Sequence, residues 1–136
     1  MKAIVLLCDH AAVADGKLYI NGGGISIMGS NVVGMSVALL VFVPWTDANR
    51  PIPLELTLQN QDGQPVVVDG HQLRTDGQLE VGRPAGVPPG TDIEWPFVFN
   101  VAGLRLTPGR YEWRLQLDGQ SREEWRRSFT VLPASS

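Results

Sequence analysis

The sequence predicts an all-β fold, an antiparallel Greek-key β-sandwich of eight or nine strands, with a β-barrel as the alternative. Three observations predict it. Apolar runs are short, and none shows the 3.6-residue period of an amphipathic helix. Fifteen glycines and ten prolines are spread without a repeat, which places turns about every ten residues. Where the pattern is cleanest its period is two: Leu54, Leu56 and Leu58 alternate with Glu55, Thr57 and Gln59, and Tyr111, Trp113, Leu115 and Leu117 alternate with Arg110, Glu112, Arg114, Gln116 and Asp118. Period two gives a strand one dry face and one wet face.

The elements follow in order. Lys2–Val13 is too apolar to alternate. It reads as a strand buried on both faces or as a short helix, and its β-branched residues and early turn favour the strand. Asp15-Gly16 is a hairpin signal, and Lys17–Asn21 is the second strand. Gly22–Gly24 then interrupt an apolar pattern that continues through Ile25–Met28. Glycines inside a strand mark a bulge, a bend or a close approach. Gly34–Val43 is a strand stopped by Pro44, and Thr46–Pro51 is a loop with room for one helical turn. The Leu54–Leu58 strand turns at Asp62-Gly63. Pro65–Val68 and Gln78–Val81 are shorter strands. Val81–Gly90 holds three prolines and three glycines, so it is an exposed loop with polyproline character. Asp92–Val101 is a strand, and Tyr111–Leu117 and Trp125–Leu132 are the last two, turning at Asp118-Gly119. The run Leu106–Tyr111, "LTPGRY", is similar to the tyrosine corner of Greek-key sandwiches, in which the tyrosine hydroxyl bonds to upstream backbone. This points to an immunoglobulin- or fibronectin-like arrangement. One domain over 1–132 and a short tail at 133–136 complete the expectation.

With 136 residues, the chain buries roughly two-thirds of its unfolded surface, enough for one self-sufficient core. The net charge of −3 is uneven. Residues 1–104 hold five Lys/Arg against ten Asp/Glu, and residues 105–136 hold six Arg against four Asp/Glu. Neither field is strong enough to capture nucleic acid. The single cysteine, Cys8, excludes an internal disulfide. The opening "MKAIVLLCDHAAVADG" imitates a signal peptide, but the apolar core Ala3–Cys8 is shorter than the roughly 7–15 residues that secretion needs. No run approaches the roughly 18 apolar residues of a membrane span. A cytoplasmic protein is expected.

The segments "DGKLYINGGG", "VPW" followed by "AN", "VGRPAGVPPG" and "LTPGRYEWRLQLDG" together resemble a small family of bacterial domains of unknown function. The resemblance runs from the first strand to Val131. It implies one compact β domain and carries over no catalytic residue.

The residues do not assemble a catalytic pattern. Gly22–Gly24 follow a strand, but the next residues are a poor helix, and no Lys-Ser/Thr pair or ribose-binding acid follows, so a phosphate cradle is not expected. Cys8 beside Asp9 and His10 invites thiol chemistry only if a histidine such as His71 approaches it in space. Two histidines and one cysteine are too few for a closed zinc site. Asp92/Glu94 and Glu123/Glu124 read as solvated strand ends. Arg110, Arg114 and Arg126 share a wet face with Glu112, the pattern of cross-strand ion pairs. No catalytic, cofactor or metal residue is assigned. The remaining candidates are for partner binding: Trp45, at a strand end where tryptophan anchors interfaces or plugs the end of a sandwich, and Arg83, Pro84, Val87 and Pro88 in the stiff loop. The expectation is a non-enzymatic module that binds a protein or itself, with no cofactor, nucleic acid, membrane or small-molecule substrate. The alternatives are a structural subunit of a larger assembly and, more remotely, a small Cys8/His71 enzyme.

Overall fold

The computed structural model describes residues 1–29 and 31–133, with backbone alone at 31–33. Strands β1 (Lys2–Ala14) and β2 (Lys17–Gly23) pair across Asp15-Gly16, both at positive φ, 52° and 69°. This is the backbone that two-residue hairpins require. β3 (Ile27–Met28) and β4 (Asn31–Val43) follow. A 3-10 turn, Trp45–Asp47, leads into β5 (Ile52–Asn60). β6 (Val67–Val68), β7 (His71–Gln72) and β8 (Arg74–Leu79) precede β9 (Ile93–Leu106). The terminal hairpin is β10 (Gly109–Leu117) and β11 (Gln120–Val131).

Two sheets result. Sheet A has the order β2-β1-β4-β9 and sheet B the order β3-β11-β10-β5-β8, while β6 and β7 form a separate small ribbon. The fold is a β-sandwich. Its core joins both inner faces: Val5, Leu7, Val37, Leu39 and Val41 from sheet A meet Leu56, Leu58, Trp113, Leu115 and Phe129 from sheet B. Trp113 crosses the interior, edge-on to Phe99 at 5.9 Å, and its indole N–H donates to the Met35 sulfur at 3.3 Å. The tyrosine corner is present. The Tyr111 hydroxyl donates to the Thr107 carbonyl at 2.6 Å while its ring stacks on Phe129.

Among the described residues there are eleven strands rather than the expected eight or nine, because three of them are two-residue pieces. The strand expected at Gln78–Val81 occupies Arg74–Leu79 instead. β8 is defined by main-chain pairing with β5, from Ile52↔Leu79 to Thr57↔Arg74, and buries only Leu79. Val81 is buried too but lies past the strand, where its carbonyl accepts the Asn49 N–H at 2.8 Å. β9 runs past Val101 to Leu106, through Gly103 at φ 67° and a register shift opposite Val33/Met35. β11 starts at Gln120 rather than Trp125, because its first five residues are exposed and give no apolar signal. Apart from Pro133, the expected tail lies outside the described residues.

The triple glycine is where the chain leaves one sheet for the other. Gly24 and Ile25 both donate to the Leu7 carbonyl, at 2.7 and 3.1 Å. Ile27–Met28 then pairs parallel to β11 in sheet B. Gly22, at φ 64°, lies so close to the Asp9 carboxylate that a Cβ there would collide with it. The glycines therefore serve both a bend and a close approach.

The strands of sheet A are apolar on both faces. Val5, Leu7, Val37, Leu39 and Val41 enter the core, so Ile4, Leu6, Ala38, Leu40, Pro96 and Val98 face outward. Cys8, Ala11 and Ala38 form a second buried cluster there, with Leu18 and Val98 packed against it.

Candidate functional site

Pro44 ends β4, and the chain makes one tight turn, with Asp47 N–H donating to the Pro44 carbonyl at 2.8 Å. The turn leaves Trp45 half-buried. Arg83, from the 81–90 loop, sits over the indole with its guanidinium carbon 4.7 Å from the ring centroid. The same guanidinium donates to the Trp45 carbonyl through Nη2 at 2.8 Å and Nε at 3.3 Å. A cation over an indole face is attracted by the ring quadrupole, and the two hydrogen bonds fix its position. Trp45 and Arg83, separated by 38 residues in the chain, thus form one surface.

The rest of the loop is two consecutive turns. Val87 N–H donates to the Pro84 carbonyl at 3.3 Å across Gly86 at φ 83°. Thr91 donates to the Pro88 carbonyl through N–H and hydroxyl, at 3.3 and 2.7 Å, across Gly90 at φ 89°. Glycine at positive φ in the third position, with Pro89 before Gly90, is the type II signature. Pro84 and Pro88 are exposed and Val87 is half-buried. All five residues expected to bind a partner therefore lie on one loop and the turn it touches.

The turn is tied down from the other side as well. Arg50 binds Asp47 at 3.0 Å and Asp118 at 2.9 Å. The Asp118 hydrogen bond to Arg50, with the positive charge behind it, holds that carboxyl below its ordinary range. This bridge between the 3-10 turn and the β10–β11 turn had no signal in the sequence, because its members are far apart in the chain.

The other candidates separate. Cys8 is fully buried on the outer side of sheet A, where its thiol donates to the Ser36 carbonyl at 3.5 Å. Burial, and secondarily the charge of Asp9, push its pKa up, the opposite of thiolate activation. His71 is exposed on the β6–β7 ribbon, which attaches to β5 of sheet B through Leu58 and Val66. Cys8 and His71 thus belong to opposite layers. Glu112 lies 3.5 Å from Arg114 on its own strand and 3.7 Å from Arg126 on the next, so these three side chains are an ion-pair cluster. Among the described residues, no three His, Cys, Asp or Glu side chains converge as metal ligands would.

A shallow cleft of about 430 Å³ lies on sheet B beside Glu55, Asp76 and Gly77. Glu55 and Asp76 face each other across β5 and β8. Arg74 bridges them at 3.4 and 2.9 Å, relieving a like-charge pair that would otherwise be unfavourable.

Fold and site together define a two-sheet β-sandwich whose loops are locked by arginine, proline and glycine. The chain belongs to the Family of unknown function (DUF6941), whose model matches residues 3–131. No curated protein matches the chain.

Proposed function

We propose that this chain is a non-catalytic protein-binding module that docks a partner on the surface formed by Trp45, Arg83, Pro84, Val87 and Pro88. The observation that supports it is the clamp of Arg83 on Trp45. The clamp and the two turns order exposed apolar residues before any partner arrives. A loop that is already ordered loses little entropy on binding, so more of its contact energy appears as affinity. Arginine and tryptophan are also the side chains that dominate binding energy at interfaces. The buried, unpaired Cys8 fits a cytoplasmic location, where thiols stay reduced.

The test uses the purified protein as bait in an extract of its source cells. Arg83→Ala and Val87→Asp alter exposed or half-exposed positions and leave the core intact. A partner retained by the parent and lost by both variants supports the reading. Retention of every partner by both variants overturns it. A second reading, a subunit of a larger assembly, is favoured by a different observation, the apolar outer face of sheet A.

A further inference from the structure

An antiparallel sandwich ordinarily turns one face of each sheet to water, and its strands alternate accordingly. Sheet A departs from this. The registers place its outward residues in rows across β1, β4 and β9. Ile4, Leu40 and Pro96 form one row, and Leu6, Ala38 and Val98 the next. On the β2 side Ala11 pairs with Ile20 and Val13 with Leu18. The glycine at 23 leaves room for Leu6 and Ile20 to lie over the end of β2. Ile4 is 51% exposed, Val13 44% and Ile20 39%.

The buried polar side chain on this face, Ser36, donates to Asn100 and accepts the Ala11 N–H, so its hydroxyl needs no water partner. The end row is different. Lys2 and Glu94 flank Phe42, one on each neighbouring strand. Two strand spacings, roughly 10 Å, separate them. Neither makes an ion pair among the described residues.

We infer that the outer face of sheet A is a homodimer interface, closed by a second copy of this chain about a twofold axis running close to β4. Three arguments carry it. A twofold along β4 exchanges the β1 and β9 sides, so Lys2 of each copy lies over Glu94 of the other while Phe42 meets Phe42. Sheets packed face to face are about 10 Å apart, a gap that a lysine and a glutamate span between them. Aligned packing at about −30° keeps the rows in register near the axis. From strand spacing and rise, the face measures roughly 500 Å² in plan, so two copies bury at least about 1,000 Å², the threshold for a specific interface. An isologous contact needs a self-complementary patch, and an apolar centre with opposite charges on either side of the axis is one. The surface is separate from the Trp45 loop, and the inference does not rest on the reading given for that loop.

Sedimentation velocity of the full chain tests it. The parent is expected to be a dimer that dissociates on dilution, and Arg83→Ala is expected to dimerise like it. Ile4→Asp and Leu40→Asp are expected to be monomers with the parent's near-ultraviolet circular dichroism, which reports the buried Trp113 and Trp125. Lys2→Glu and Glu94→Lys are each expected to weaken the dimer about tenfold, and the double variant to restore it. A parent that stays monomeric up to about 100 µM overturns the inference, as does a dimer that persists in folded Ile4→Asp and Leu40→Asp. Charge reversals that do not rescue one another overturn the twofold along β4. A monomer that instead floats with phosphatidylcholine vesicles puts lipid on the face and also overturns the inference.

Discussion

Arg127 donates from Nε to the Val5 carbonyl at 2.7 Å, reaching from β11 to the side of β1 that β2 leaves uncovered. It shares its face of β11 with Trp125 and Phe129, both in the core. An inward-pointing charge beside an open edge blocks the edge-to-edge pairing that exposed strands invite.

Arg127→Met keeps the apolar stem and removes the donor. It should lower stability by about 1.5 kcal/mol, the loss of one charge-assisted hydrogen bond. It should also raise the fraction that aggregates on mild heating. Urea unfolding and light scattering measure the two effects, and an unchanged midpoint would show that the bond contributes nothing.

Gly22 and Gly24 both sit at positive φ, 64° and 97°, but a Cβ at Gly24 meets open space and one at Gly22 meets Asp9. Each alanine substitution costs about 1–2 kcal/mol for the backbone. Gly22→Ala should cost at least about 1 kcal/mol more than Gly24→Ala, for the displaced carboxylate. Adding Asp9→Ala should recover most of that difference in Gly22→Ala and none in Gly24→Ala. Equal losses for the two glycines would refute the close approach.

The Asp118–Arg50 bridge sets a pH dependence. The Asp118 carboxyl is depressed in the folded state, so it binds its proton less readily than in the unfolded chain. Its contribution is present above the unfolded value of about 3.9 and fades as pH falls through the folded value. The pair is exposed and the effect is small. Asp118→Asn should therefore be slightly less stable than the parent at pH 7, with the gap closing toward pH 2–3. A gap that widens on acidification contradicts this assignment.

Cys8, fully buried with a raised pKa, should resist a thiol reagent in the native protein at pH 8 and react stoichiometrically in denaturant. Rapid native labelling would place the thiol at the surface and reopen a role for it.

The elements legible in the sequence were those with one wet face. Leu54, Leu56 and Leu58, and Tyr111 through Leu117, announce their strands because solvent sits on every second residue. β8 lies N-terminal to the strand its apolar residues suggest because Arg74–Gln78 carry no such alternation, and only cross-strand hydrogen bonds define them. The sequence marks Trp45 and Arg83 individually, but their stacking depends on how the 81–90 loop folds back, which no local pattern encodes. By its apolarity, the run Lys2–Val13 reads as a strand buried on both faces or as a short helix, and it forms a strand. The inner burial is met by sheet B, and the outer apolarity of Ile4 and Leu6 became visible as a surface only once the registers with β4 and β9 were known.

The parallel pairing of Ile27–Met28 with Thr130–Val131 has a consequence for synthesis. Sheet B takes its strands from both ends of the chain, so the ribosome releases β3 long before β11 exists to receive it. Sheet A, by contrast, takes three of its four strands, β1, β2 and β4, from residues 2–43, with only β3 between them. Early in translation the nascent chain should hold a three-stranded β2-β1-β4 sheet whose core-facing residues, Val5, Leu7, Val37, Leu39 and Val41, are uncovered. It must be shielded until the terminal hairpin emerges. Closing contacts of such long sequence separation also makes refolding slow, on the order of milliseconds to seconds.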